Sequence, residues 1–262
     1  MQVTIIGSGN VATVLGRLLV KNGHTVLQVY SRNAGHADEL AKQVGAMAIS
    51  DISLINKEAD LYLLTVTDDA LASVAGKLLL KDKLVIHTAG SVSKEILKTV
   101  SSNYGVLWPM KMIRKSMSSL LPVTIIVDGS SEAVTVQIEQ LARQFSPAVK
   151  WADDSLRIKM HMLAAITSNF TNHLYHLAAD YCEKEKIDFS FFYPLIEESA
   201  QRIQISHPKS VQAGPAFRGD DQTLEKHRLL LEQYPQIQKL YLEMSSSIKE
   251  SFTEKKPERW DG

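Results

Sequence analysis

One cysteine, Cys182, stands among 262 residues. A single thiol excludes an intrachain disulfide and any thiolate-built metal cluster, so no metal site is expected, and it fits a reducing, cytoplasmic setting. Neither sign of charge prevails, since 29 Lys and Arg face 29 Asp and Glu. The chain has no overall field to draw nucleic acid or an anionic membrane, and any anion it handles must be met by a local site. No run of 18 uncharged apolar residues occurs, which argues against a transmembrane helix. Met1-Gln2 supplies no basic segment, and Arg17 and Lys21 interrupt the apolar stretch that follows, so a signal peptide is not expected either.

What is present is an alternation of short apolar runs and amphipathic stretches. Val3 to Ile6 is continuous apolar sequence, as in a strand buried on both faces. Val11, Val14, Leu15, Leu18 and Leu19 follow at helical spacing, and Asn22-Gly23 is a stop signal. Further strands are predicted at 25–30, 46–49, 61–66, 84–87, 105–108 and 123–127, with helices over 37–44, 69–80 and 132–145. Repeated β-α units imply a doubly wound parallel sheet with right-handed crossovers. Beyond Trp151 the strand signals stop. Residues 155–185 read as one long helix, and 189–205, 221–234 and 235–252 as three more. The fold class is therefore α/β, with a doubly wound domain over 1–152 and an all-α domain over 153–262, and the charged tail 251–262 is expected to fray.

The turn after the first strand reads Gly7-Ser8-Gly9-Asn10-Val11-Ala12. A glycine pair alone is a weak signal, but here a buried strand precedes it and a helix follows, inside a β-α-β unit. Gly7 permits the tight turn, Gly9 lets the backbone approach a pyrophosphate, and Ala12 allows close helix–strand packing. The free N–H groups and positive dipole end of the helix then face the phosphates. These features mark the first half as a Rossmann dinucleotide-binding domain. An NAD enzyme usually carries an acid about 20 residues on, at the end of the second strand. This chain has Tyr30-Ser31-Arg32-Asn33 there. Ser31 and Arg32 suit a 2′-phosphate, which favours NADP over NAD, unless Arg32 is simply a solvated loop charge.

Ligands in such sheets lie beyond the carboxyl ends of the strands, which places Val66, Thr67, His87, Thr88, Ala89 and Gly90 beside the cofactor. His87 either donates a hydrogen bond or proton, or caps the strand and orients a loop. Asp68 and Asp69 read as helix caps. In the second half His161, Ser168, Asn172 and Tyr175 share one azimuth at 100° per residue, with Asn169 adjacent. Such a polar line serves a substrate cleft, or else a core network or subunit interface. Lys159 reads as solvated. Between Ala213 and Asp220, two glycines and a proline shape a loop whose Arg218 either clamps an anionic ligand or pairs with Asp220, with His227 on the next helix.

These pieces, from the glycine turn through His87-Thr88-Ala89-Gly90-Ser91 and His161…Ser168-Asn169-Phe170 to Gly214-Pro215-Ala216-x-Arg218-Gly219-Asp220, carry a resemblance over almost the full length. The chain resembles bacterial Rossmann-like proteins with a helical C-terminal domain of unassigned function. They form a branch of the 6-phosphogluconate dehydrogenase-like group, which includes pyrroline-5-carboxylate reductase and deazaflavin-dependent NADP oxidoreductase. The resemblance implies an NADP-linked oxidoreductase with its site between the domains and a homodimer formed through the helices. Two departures matter. Trp108-Pro109 stands where relatives tend to show His-Pro, and Lys159 and Asn169 are too far apart to form the lysine–asparagine pair of β-hydroxyacid dehydrogenases.

The expected function is hydride transfer between NADP and a small, carboxylate-bearing metabolite. His161 or His87 would handle the proton, Asn169 would position the substrate and Arg218 would bind its anionic end. The alternative is a non-catalytic NADP-binding sensor or partner-binding protein of the same fold.

Overall fold

The computed structural model describes residues 1–252, and the tail beyond Phe252, where fraying is expected, lies outside them. The strands are β1 (Gln2–Ile6), β2 (Thr25–Tyr30), β3 (Met47–Ile49), β4 (Leu61–Leu64), β5 (Lys81–His87), β6 (Ser101–Pro109), β7 (Ile125–Gly129) and β8 (Val149–Trp151). They form one sheet in the order β3-β2-β1-β4-β5-β6-β7-β8. The continuous apolar runs are explained by burial of both faces. In β4, Leu61 and Leu63 join Leu15 and Leu40 in one layer, while Tyr62 and Leu64 join Leu71 and Val74 in the other.

The helices of this part are α1 (Asn10–Lys21), α2 (Ala34–Val44), α3 (Asp68–Ala75), α4 (Glu132–Arg143) and α5 (Asp154–Ala164). The expected parallel sheet is present through β6. β7 then runs antiparallel to β6, and β8 follows parallel to β7. The reversal has a local cause: residues 110–124 contain no crossover helix, so the chain returns directly beside β6. β8 was not expected because three residues, one of them Lys150, carry no readable period.

Contacts divide the chain into Met1–Ala165 and a second unit from Ile166 onward. The division falls one helix later than the 152/153 boundary expected from composition, because α5 is bound to the sheet. Met160 and Ala164 pack on Val106, Trp108, Ile126 and Ala152. Arg157, 1% exposed, inserts beside Asp128 of β7, its Nη1 3.9 Å from Oδ2. Its Nη2 donates to the Val92 carbonyl at 2.6 Å and to Asp154, and Lys94 completes the cluster at 2.7 Å from Asp128.

After α5 the helix widens into a π segment, Ala165–Phe170, before α6 (Thr171–Glu185). The long helix expected over 155–185 thus exists with an insertion. The π turn advances each residue by less than 100°, so the single polar azimuth expected to join His161 with Ser168 and Asn172 does not hold across it. The second unit continues with α7 (Tyr193–Ile205), α8 (Pro215–Arg218), α9 (Asp221–Leu230) and α10 (Pro235–Phe252). No helix of the described residues is long and apolar enough to cross a membrane.

Removing one member of a buried charge cluster strands the others. Arg157→Met should destabilise the protein by about 3 to 5 kcal/mol in chemical denaturation. Lys94→Met, at a partly exposed position, should cost less than half of that.

Candidate functional site

Between β1 and β4 the strand order reverses, and the cavity of the Rossmann unit opens there. Gly7 leaves β1 with φ of +123°, and a Cβ on it would lie 2.5 Å from Thr65 Oγ1. Its N–H donates to the Tyr30 carbonyl at 2.8 Å, so the turn is fixed to β2 on one side and pressed on β4 on the other. Gly9 is the N-cap of α1, and no side chain caps that helix. A Cβ on Gly9 would meet nothing within 4 Å, so the space beside it is open. The first turn of α1 therefore offers unclaimed N–H groups and the positive dipole end to an anion.

The cavity measures about 660 Å³, within the usual range for a bound organic ligand. Gly7, Ser8 and Gly9 form one wall, Tyr30, Ser31 and Arg32 a second, and Thr65, Val66 and Thr67 a third. Ser8 Oγ donates to Ser31 Oγ at 2.9 Å, joining the first two walls. Seven of the expected cofactor residues, Gly7, Ser8, Gly9, Ser31, Arg32, Val66 and Thr67, thus share one cavity. Asn10 and Val11 open α1 beside it, and Ala12 is wholly buried beneath the turn. His36, Lys77 and Lys115 also line it, and sequence reasoning missed all three. Lys115 comes from the β6–β7 connection, so no local pattern announces it.

At the end of β5, His87 is wholly buried. Its Nδ1 accepts the Ala89 N–H at 3.2 Å, so the proton sits on Nε2, which has no hydrogen-bond partner among the described residues. Burial first, and then the Arg157 charge, push its pKa down to about 4; the Ser93 backbone, Asp154 and Asp68 pull weakly the other way. His87 is a neutral imidazole at pH 7 whose visible bond shapes the Thr88–Gly90 loop.

Gly90 in that loop lies against two rings. A Cβ there would come within 2.6 Å of both His161 and Trp108. These rings pack with centroids 5.5 Å apart, tilted by 49°. Trp108 is buried and His161 partly exposed. Trp108, which departs from the His-Pro pattern, is therefore the surface on which His161 rests. Asp154, Arg157 and His161 fall at i, i+3 and i+7 of α5, one face, and that spacing is the signal that could have revealed the buried cluster.

The remaining expected residues lie in the second unit. Asn169 is exposed within the π segment, a feature frequent at functional sites. Arg218 is exposed at the end of α8. Nearby Asp220, held below the usual carboxylate range first by the Thr223 hydroxyl and then by its N–H, caps α9. His227 Nδ1 meets the Tyr241 hydroxyl at 2.7 Å. Among the described residues no group of His, Cys, Asp and Glu could hold a metal ion.

Comparison with known proteins agrees with this layout. Residues 2–91 match the family described as NADP oxidoreductase, coenzyme F420-dependent, and residues 123–248 match a domain of unknown function (DUF2520). A Bacteroides fragilis protein classed as an NADP oxidoreductase is 34% identical with a TM-score of 0.88, over 95% of this chain and 98% of that one. Two more distant structures share the fold. One is 1-pyrroline-5-carboxylate reductase of Streptococcus pyogenes, 16% identical with a TM-score of 0.66 over 95% and 98% of the two chains. The other is an imine reductase of Myxococcus stipitatus in complex with NADP+, 15% identical with a TM-score of 0.68 over 96% and 94%. No curated protein matches the chain.

The depressed pKa of His87 makes stability depend on pH. The unfolded chain takes up the proton near 6.5 and the folded one only near 4, so stability is full above 6.5 and falls as pH drops through that window. The expected loss is about 3 kcal/mol. Denaturant titrations at pH 7, 5.5 and 4.5 should show a shallower slope for His87→Asn, whose amide oxygen can still accept the Ala89 N–H.

Proposed function

The chain belongs to the NADP oxidoreductases that join a Rossmann domain to the DUF2520 helical domain, and from that premise we propose that it moves a hydride between NADP, in preference to NAD, and a small carboxylate-bearing metabolite. The observation that carries the cofactor preference is the second wall of the cavity, where Ser31 and Arg32 occupy the position of the acid of an NAD enzyme. The donor set fits the group: uncapped N–H groups of α1 for the pyrophosphate, and a hydroxyl and guanidinium for the 2′-phosphate.

When bound, the dinucleotide supplies the hydride chemistry. The chain's own residues bind, orient and move a proton. The backbone of Thr88, Ala89 and Gly90 borders the reacting end, and His161, resting on Trp108 beside Gly90, donates or accepts the proton. His87 is buried and neutral, which suits it to holding the loop rather than exchanging protons with a substrate. Asn169 orients the substrate, and Arg218 binds its carboxylate by paired hydrogen bonds. The single cysteine, buried at Cys182, fits a cytoplasmic location.

The helical unit also supports a homodimer. Among its described residues Leu177, Cys182, Ala216 and Leu231 are buried apolar side chains, whereas Phe191 is 74% and Ile205 85% exposed, with Leu195, Ile203 and Leu230 exposed as well. So many exposed large apolar groups call for a covering partner, and a second copy is the one proposed.

Fluorescence titration should show NADPH binding more tightly than NADH, with Arg32→Ala removing most of the difference; equal affinities for the wild type contradict the NADP reading. Hydride turnover should then be sought with a panel of small oxo and imino acids, where His161→Ala lowers kcat by about 100-fold or more. Light scattering should give twice the 29.1 kDa chain mass, reduced to one chain by Ile205→Asp with the helical content kept. A monomer at all concentrations contradicts the dimer.

A further inference from the structure

The connection between β6 and β7 runs across the sheet layer that holds α1 and α2. Ile113 and Met117 pack on that apolar layer. Arg17 of α1 donates from Nη1 to the Lys115 carbonyl at 2.7 Å, while its Nε and Nη2 bond Gln43 of α2 at 3.1 and 2.7 Å. The backbone at Lys115 is thereby fixed over both helices. Its ammonium lies 3.4 Å from both carboxylate oxygens of Glu39, one helical turn beyond His36 on α2, and it lines the same cavity as Ser31, Arg32 and His36. The Lys115–Glu39 pair is exposed and long, so it holds the ammonium only weakly.

We propose that Lys115 is a specificity-determining residue, the second cation for the phosphate on the 2′-oxygen of the adenosine ribose, and that Glu39 opposes that phosphate while keeping the lysine beside the cavity. This rests on the NADP reading above. A phosphate monoester carries between one and two negative charges near neutral pH, more than the Arg32 guanidinium alone balances. Arg32 supplies a planar fork and Lys115 a point charge on a flexible stem, two complementary ways of meeting one tetrahedral anion. Glu39 lies within one turn of the subsite and exerts a like-charge penalty on that phosphate that NADH never feels.

The test uses the full chain with NADPH, NADH and adenosine 2′-monophosphate in fluorescence and calorimetric titrations. Lys115→Ala should weaken NADPH and adenosine 2′-monophosphate by about tenfold and leave NADH within about twofold. Lys115→Arg should recover most of the loss, and Glu39→Gln should tighten NADPH alone. Unchanged NADPH affinity in Lys115→Ala overturns the proposal. So does an equal loss for NADPH and NADH, which marks Lys115 as a support of the loop. If the wild type prefers NADPH and Arg32→Ala erases the preference while Lys115→Ala keeps it, only the role of Lys115 fails. If the wild type binds the two cofactors equally, the NADP reading fails and the proposal falls with it.

Discussion

No side chain caps α1, and two residues before its N-cap the chain turns through Gly7, where a side chain has no room. At φ of +123°, with Thr65 Oγ1 where a Cβ would stand, Gly7 brings the ends of β1 and β4 into contact. That contact sets where the sheet's reversal of order opens into a cavity and aims the first turn of α1 across it. The walls contributed by β2 and β4 are placed by parallel pairing to β1 on either side. The walls formed by Gly7 to Gly9, Ser31 and Arg32, and Thr65 to Thr67 meet around this one close approach.

A second constraint positions His161 in the same unit. Arg157, buried between Asp128, Asp154 and the Val92 carbonyl, pins the start of α5 to β7 and to the loop after β5. One turn further on, His161 rests on Trp108 against Gly90. A buried ion cluster contributes little net stability compared with apolar packing, but it admits few alternative registers. Here the register it selects determines which ring faces the loop. Burial first, and the same cation second, keep His87 neutral, so it shapes the loop while His161 stands nearer solvent.

Much of this was legible in the sequence, and the illegible part has a common cause. The glycine turn, the acid-free end of β2 and the shift to helices are local patterns, and the structure brings Gly7, Ser8, Gly9, Ser31 and Arg32 to one cavity. The docking of α5 on the sheet and the arrival of Lys115 at α2 depend on partners far along the chain, so no window of residues contains them. The π segment escaped because a helix with one wider turn has nearly the composition of a regular one. Its consequence is real all the same, since Ser168 and Asn172 lose the azimuth that a regular helix would share with His161.

The central proposal is that the cavity at the glycine turn holds NADP with its adenosine end toward Ser31 and Arg32. A crystal structure of the full chain soaked with NADP and a panel of small acids tests this most directly. The predicted result is pyrophosphate density at the first turn of α1, 2′-phosphate density within hydrogen-bond distance of Arg32, and the nicotinamide on the Gly90 side. Pyrophosphate density elsewhere, or an adenosine end turned away from Arg32, would contradict it.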